Sequence, residues 1–174
     1  MLSEKWEDQY RSLHRSYERL KRAVDEYIDR DEEVHKEENS CDILYHFCAD
    51  AYHLKDYIKN STGQSQATMH AVELLFDVQK DPHASTALAI CADIANGFKH
   101  LNLHRSRLSA DPAKAAKVTK QEAGITFPKT FPAYFTYHFT IEADGVTYNE
   151  LDIANQAIAD WDAWLTGHGF SLPT

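Results

Sequence analysis

The stretch WEDQYRSLHRSYERLKRAVDEY, residues 6–27, decides the fold class. Trp6, Tyr10, Leu13, Tyr17, Leu20, Val24 and Tyr27 follow one another at alternating steps of four and three. Those steps keep side chains on one face of a helix with 3.6 residues per turn. The stripe predicts one long helix over roughly residues 3–37. Its aromatic content is high for a coiled coil, so packing within a bundle or across a dimer is expected. An aromatic platform for stacking bases is the alternative use of such a stripe.

The same reading extends downstream. Ser40 is expected to cap a second helix, with Asp42 in its first turn, where the helix dipole favours an acid. Ile43, Phe47, Ala51, Leu54 and Ile58 make its apolar face, and His46, Asp50, His53 and Tyr57 border it as a polar seam. The loop Asn60–Gln66 leads into a short helix around Thr68–Gln79. Asp81 and Pro82 read as the cap and first position of a further helix. On it Ala84, Leu88, Cys91, Ala95 and Phe98 are expected to be buried, while Asp93, Asn96, His100 and His104 project from the opposite face. Residues 105–122 read as a basic, Ala/Lys-rich linker, partly helical at best. In AYFTYHFTIEADGVTYNEL, Phe135, Tyr137, Phe139 and Ile141 alternate with polar residues up to Asp144-Gly145. That is a β-hairpin signal over residues 133–149. Leu151, Ala154, Ile158, Trp161 and Leu165 then pattern a last helix that stops at Gly167. The expected fold is mainly α: an up-and-down helical bundle with a small hairpin before its last helix, in one domain spanning residues 1–174.

Composition narrows the function classes. The 174 residues are 43% hydrophobic and 26% charged, as in a soluble globular domain. No apolar run approaches a membrane span, and charge from the fourth residue speaks against a signal peptide. Cys41, Cys48 and Cys91 form no Cys-x-x-Cys pair, which argues against a disulfide framework or zinc finger and for a reducing cytoplasm. The net charge of −9 makes a poor generic nucleic-acid binder. Residues 99–129 nevertheless hold seven basic against two acidic residues, a local surface where a phosphate backbone could dock.

That basic segment begins in KHLNLH, Lys99–His104. A histidine can take a proton from a ribose 2′-hydroxyl or give one to a leaving oxygen, and a nearby cation can neutralise the phosphorane charge. RNA cleavage without metal needs these two parts, because the 2′-hydroxyl is itself the nucleophile. A helical bundle with a penultimate helix ending in a cation, a polar residue and then a histidine resembles the HEPN superfamily. Its usual motif is Arg, four to six residues, then His, and here Lys99 stands in the Arg position before His104. If His100 is aligned as the family histidine instead, the Arg positions hold Ala95, Ile94 and Asp93. The resemblance implies a homodimer with both motifs facing a shared cleft. It also implies metal-independent endoribonuclease activity of the toxin or phage-defence kind, with no cofactor. Catalytic roles would fall to Lys99, His100 and His104, with Asp93 and Asn96 orienting the histidines. Arg105, Arg107, Lys114 and Lys117 would hold phosphate. A point charge at Lys99 replaces the planar fork of Arg, which also suits a non-catalytic binder of RNA or a nucleotide.

Three rival readings come from the same residues. His100 and His104, four apart, could chelate a metal together with His46, Asp50 and His53 of the second helix. An interaction module, such as an antitoxin-like or scaffolding partner protein, would leave Lys99 and His104 exposed without a cleft. A small-molecule or nucleotide sensor would have a pocket lined by His53, Asn96 and Tyr57. Asn96-Gly97 in mid-helix costs about 1 kcal/mol and suggests a closely packed neighbour or a local irregularity. The remaining histidines, including His14 and His138, read as incidental.

Overall fold

The computed structural model describes residues 5–25, 37–99, 106–126 and 134–173. Its elements run α1 (Trp6–Asp25), α2 (Glu37–Asn60), α3 (Gln66–Leu74), α4 (Thr86–Lys99), a 3-10 turn (Pro112–Lys114), β1 (Lys117–Thr126), β2 (Tyr134–Ala143), β3 (Val146–Asn149) and α5 (Glu150–Gly167). The described chain is mostly helical, with a three-stranded antiparallel sheet before the last helix. Among the described residues no helix is long and apolar enough to cross a membrane.

α1 buries the stripe read from the sequence: Trp6, Tyr10, Leu13, Leu20 and Val24 are in the core, and Tyr17 packs against it. The part of the expected long helix that covers residues 26–36 lies outside the described residues. α2 is already helical at Glu37, so Ser40 sits inside the helix rather than at its start. α3 is capped by Ser65, whose hydroxyl accepts from Thr68 N at 3.0 Å. It ends at Leu74, short of the expected Gln79, because the Leu75 carbonyl leaves the helix to accept from Ser85 N at 2.8 Å.

α4 corrects two expectations. It starts at Thr86, with Ser85 rather than Asp81 as its cap: the Ser85 hydroxyl accepts from Leu88 N at 3.0 Å and donates to Asp160 of α5. Asp81 instead holds a tight turn, accepting from His83 N at 2.8 Å. More important, past its exposed first residue Thr86, α4 shows no solvent face as far as Ala95. Every residue from Ala87 to Ala95 is buried, Asp93 included. A helix apolar all round is the centre of a core, and Ala87, Ala89, Ala92 and Ala95 let its neighbours approach closely. It packs against α2, α5 and β1.

The expected linker also proves to be structured. Residues 117–126 form β1, paired with β2 from Lys117↔Glu142 to Thr126↔Tyr134, with an irregularity between Val118 and Lys120. β1 is an edge strand, and its exposed Lys117, Thr119, Lys120 and Glu122 hide any apolar alternation. The hairpin itself is present as β2–β3, closing from Ala143↔Val146 over Asp144 and Gly145. Both turn residues have positive φ, +49° and +77°, as a two-residue hairpin loop requires. Phe139, Ile141 and Ala143 put the inner face of β2 into the same core as the helices. α5 is capped by Asn149, which accepts from Leu151 N and Asp152 N at 2.9 and 3.2 Å. It buries Ile153, Ala154, Ala157, Trp161 and Leu165.

Candidate functional site

Asp93 organises the region that follows α4. Its carboxylate accepts from the Ser106 hydroxyl, from Arg107 N at 2.8 Å and from Ala116 N at 3.3 Å. A buried carboxylate costs several kcal/mol unless donors surround it, and these three supply that need. Ser106 is buried too; its oxygen accepts from Leu108 N and Ser109 N, each at 3.0 Å, and its carbonyl accepts from Gln79 Nε2 at 3.1 Å. One side chain of the central helix therefore fixes both residues 106–107 and the approach to β1. The expectation that Asp93 projects from an exposed face is overturned: its carboxylate is turned into the protein, toward these backbone groups.

Arg107 continues the arrangement outward. Its guanidinium lies 3.6 Å from Glu73 Oε2, 3.7 Å from Asp77 Oδ2 and 3.5 Å from the Tyr52 hydroxyl. Glu73 Oε1 also accepts from Lys59 Nζ at 2.6 Å and Lys55 Nζ at 3.4 Å. Lys55 is buried, bonded to Asp56 at 2.8 Å, with its ammonium 4.5 Å from the centre of the Tyr52 ring. Lys80 bridges to Asp77 at 2.9 Å. Burial alone would push the Glu73 carboxyl up, but the hydrogen bond from Lys59 and the charges of Lys55, Lys59 and Arg107 outweigh it and leave it below the usual glutamate range. Burial likewise acts to lower Lys55, and its hydrogen bond to Asp56 with the charges of Tyr52, Asp56 and Glu73 leaves it above the usual lysine value.

The other residues singled out from the sequence are distributed as follows. Lys99 closes α4; its side chain, together with His100, His104 and Arg105, lies outside the described residues. Asn96 and Gly97 are half-buried in the last turns of α4. Lys114 is exposed, 3.4 Å from Asp144, and Lys117 is exposed at the start of β1. Of the expected metal ligands, Asp50 is held by α1, accepting from Gln9 Nε2 at 3.0 Å, Ser12 Oγ at 3.2 Å and Ser16 Oγ. His46 is exposed beside Tyr45, and His53 lies next to the Tyr52 ring. Among the described residues no group of three or more His, Cys, Asp or Glu side chains is placed to hold a metal ion. A cavity of about 570 Å³ between the start of α1 and the end of α2 takes in Trp6, Glu7 and Tyr57, but neither His53 nor Asn96.

Sequence reasoning missed Tyr52, Lys55, Lys59, Glu73 and Asp77. A signal existed: Lys55 and Lys59 stand four apart, as do Glu73 and Asp77, and like charges at that spacing repel unless a neighbouring segment neutralises them. It also passed over His138, whose Nδ1 lies 3.3 Å from the buried carboxylate of Glu150. Cys48 and Cys91 are buried free thiols, and the hydrogen bond to Cys91 and then burial push the Cys48 thiol up, away from reactive thiolate. Comparison of the chain with protein families, curated proteins and solved structures gives no match.

Proposed function

We propose that this protein is a HEPN-like helical bundle of the cytoplasm that binds RNA and cleaves it without metal, as a homodimer of the toxin or defence kind. The observation that supports the reading best is the anchoring by Asp93. Lys99 is the last residue of α4, and the chain is held at Ser106 and Arg107 by Asp93, Gln79 and the Glu73–Asp77 pair. Fixed points on either side of the motif in the chain suit histidines that must meet a reacting phosphate in one geometry. In this mechanism one of His100 and His104 takes the 2′-hydroxyl proton and the other protonates the leaving 5′-oxygen. Lys99 offsets the charge on the phosphorane, and a 2′,3′-cyclic phosphate results. Asn96 orients a histidine. Asp93 is a positioning residue, acting through the backbone of residues 106–107. Arg105, Arg107, Lys114 and Lys117 form the basic track for the RNA backbone.

Purified protein incubated with mixed-sequence RNA in EDTA tests this reading, with His104→Ala alongside. The expected result is EDTA-resistant cleavage with cyclic-phosphate ends, lost in the variant. Cleavage only after metal is added would instead favour paired histidines at a metal. RNA retained but not cut would leave a non-catalytic binding module.

A further inference from the structure

We infer that Lys55, Lys59 and Arg107 form a binding site for a phosphate group, and that the Glu73 carboxylate occupies it as a built-in competitor. The inference deepens the RNA reading and rests on it for the source of the phosphate, although not for the site itself.

Three cations converge on this one carboxylate, at 3.4, 2.6 and 3.6 Å. A tetrahedral phosphate with charge on several oxygens satisfies such a set at least as well as a carboxylate does. Two of the cations, Lys55 and Arg107, have partners besides Glu73. Lys55 is buried and held by Asp56 and the Tyr52 ring, and the backbone of Arg107 is bonded to Asp93. Glu73 is the movable partner: it sits near the end of the nine-residue α3, and its side chain is 30% exposed. Rotation about its side-chain bonds carries the carboxylate to water. Charge then favours a replacement. With Glu73 withdrawn, the ion pairs seen among the described residues leave Lys55, Lys59, Lys80 and Arg107 against Asp56 and Asp77, so positive charge outweighs negative there. Arg107 lies two residues beyond the segment 100–105, so a phosphate held here is adjacent in the chain to the histidine motif. RNA arriving with phosphate must displace Glu73, which weakens binding of any single phosphate and reserves the site for a ligand with further contacts.

The test measures binding of inorganic phosphate and of a 2′-O-methylated, uncleavable RNA oligonucleotide in EDTA. Wild type is compared with Glu73→Gln and Lys59→Gln. The expected result is RNA binding about tenfold tighter for Glu73→Gln, since the phosphate no longer has to displace a carboxylate. Inorganic phosphate should compete for that site, and Lys59→Gln should bind RNA several-fold more weakly. If Glu73→Gln gains affinity for inorganic phosphate while no form binds RNA, the phosphate site stands and the RNA reading fails. If a folded Glu73→Gln binds phosphate and RNA no better than wild type, the site is refuted, even where wild type still cleaves RNA. Should Glu73→Gln fail to fold, Lys59→Gln decides: weakened binding supports the site, and unchanged affinity for both probes overturns it.

Discussion

Asp93 lies in the middle of the most buried helix, so its charge depends wholly on protein donors. Asp93→Ala leaves the Ser106 hydroxyl and two backbone N–H groups without their acceptor. Its expected cost is about 3 kcal/mol, read from urea unfolding; a loss of under about 1 kcal/mol would show that residues 106–116 are held by other means. Glu73 and Lys55 predict how stability responds to pH. The folded Glu73 carboxyl is below its ordinary value, so its stabilisation is complete above about pH 4.3, the unfolded value, and fades as pH falls through the folded one. Lys55 is raised, so its contribution holds below about pH 10.4 and fades as pH rises through the folded value. Urea midpoints across this range should fall at both ends, and Glu73→Gln should flatten the acid limb. An acid limb identical in the variant would contradict the assignment.

Elements differ in how much their own residues reveal. α1 and α5 each bury one face, so their periodicity marks both element and orientation. The β2–β3 hairpin is legible for the same reason, through alternation and the Asp144-Gly145 turn. Gly145 has φ +77° with nothing within 4 Å of an added Cβ, so Gly145→Ala suffers from backbone conformation alone. Its cost should be about 1 kcal/mol, seen as a lowered melting temperature, with Gly145→Asn costing less. A fall well beyond that would point to a contact at the turn. β1 is hard to read because the exposed Lys117, Thr119, Lys120 and Glu122 break up any apolar alternation around Val118, which packs against the core. α4 is misread for the opposite reason: its small and apolar residues meet neighbours on every side, so helical periodicity does not say where Asp93 points.

Across the whole molecule the sheet and the helices share one core, in which Phe139 and Ile141 of β2 belong with Leu13, Phe47, Leu88 and Trp161. Polar bonds tie distant elements: Tyr10 donates to Asp162 at 2.7 Å, Tyr17 to Asn155 at 2.6 Å, and Trp161 Nε1 to the Ala51 carbonyl at 3.0 Å. Unfolding should therefore be one cooperative step, with tryptophan fluorescence and far-ultraviolet circular dichroism giving the same midpoint. Separate midpoints would mean that the sheet opens independently of the bundle.

The amino-acid sequence alone determined the helical class, the amphipathic first and last helices, the hairpin and the basic segment after α4. Each of these is written in the spacing of residues within one turn or one strand. The tertiary structure alone decided that α4 is central, that residues 117–126 form a strand, and that Arg107 faces Glu73 and Asp77. Asp93 finds its donors 13, 14 and 23 residues away, and Glu73 finds Lys59 and Lys55 at 14 and 18. Charges meet across such separations only after the core has set which helices touch, so no local pattern could place them.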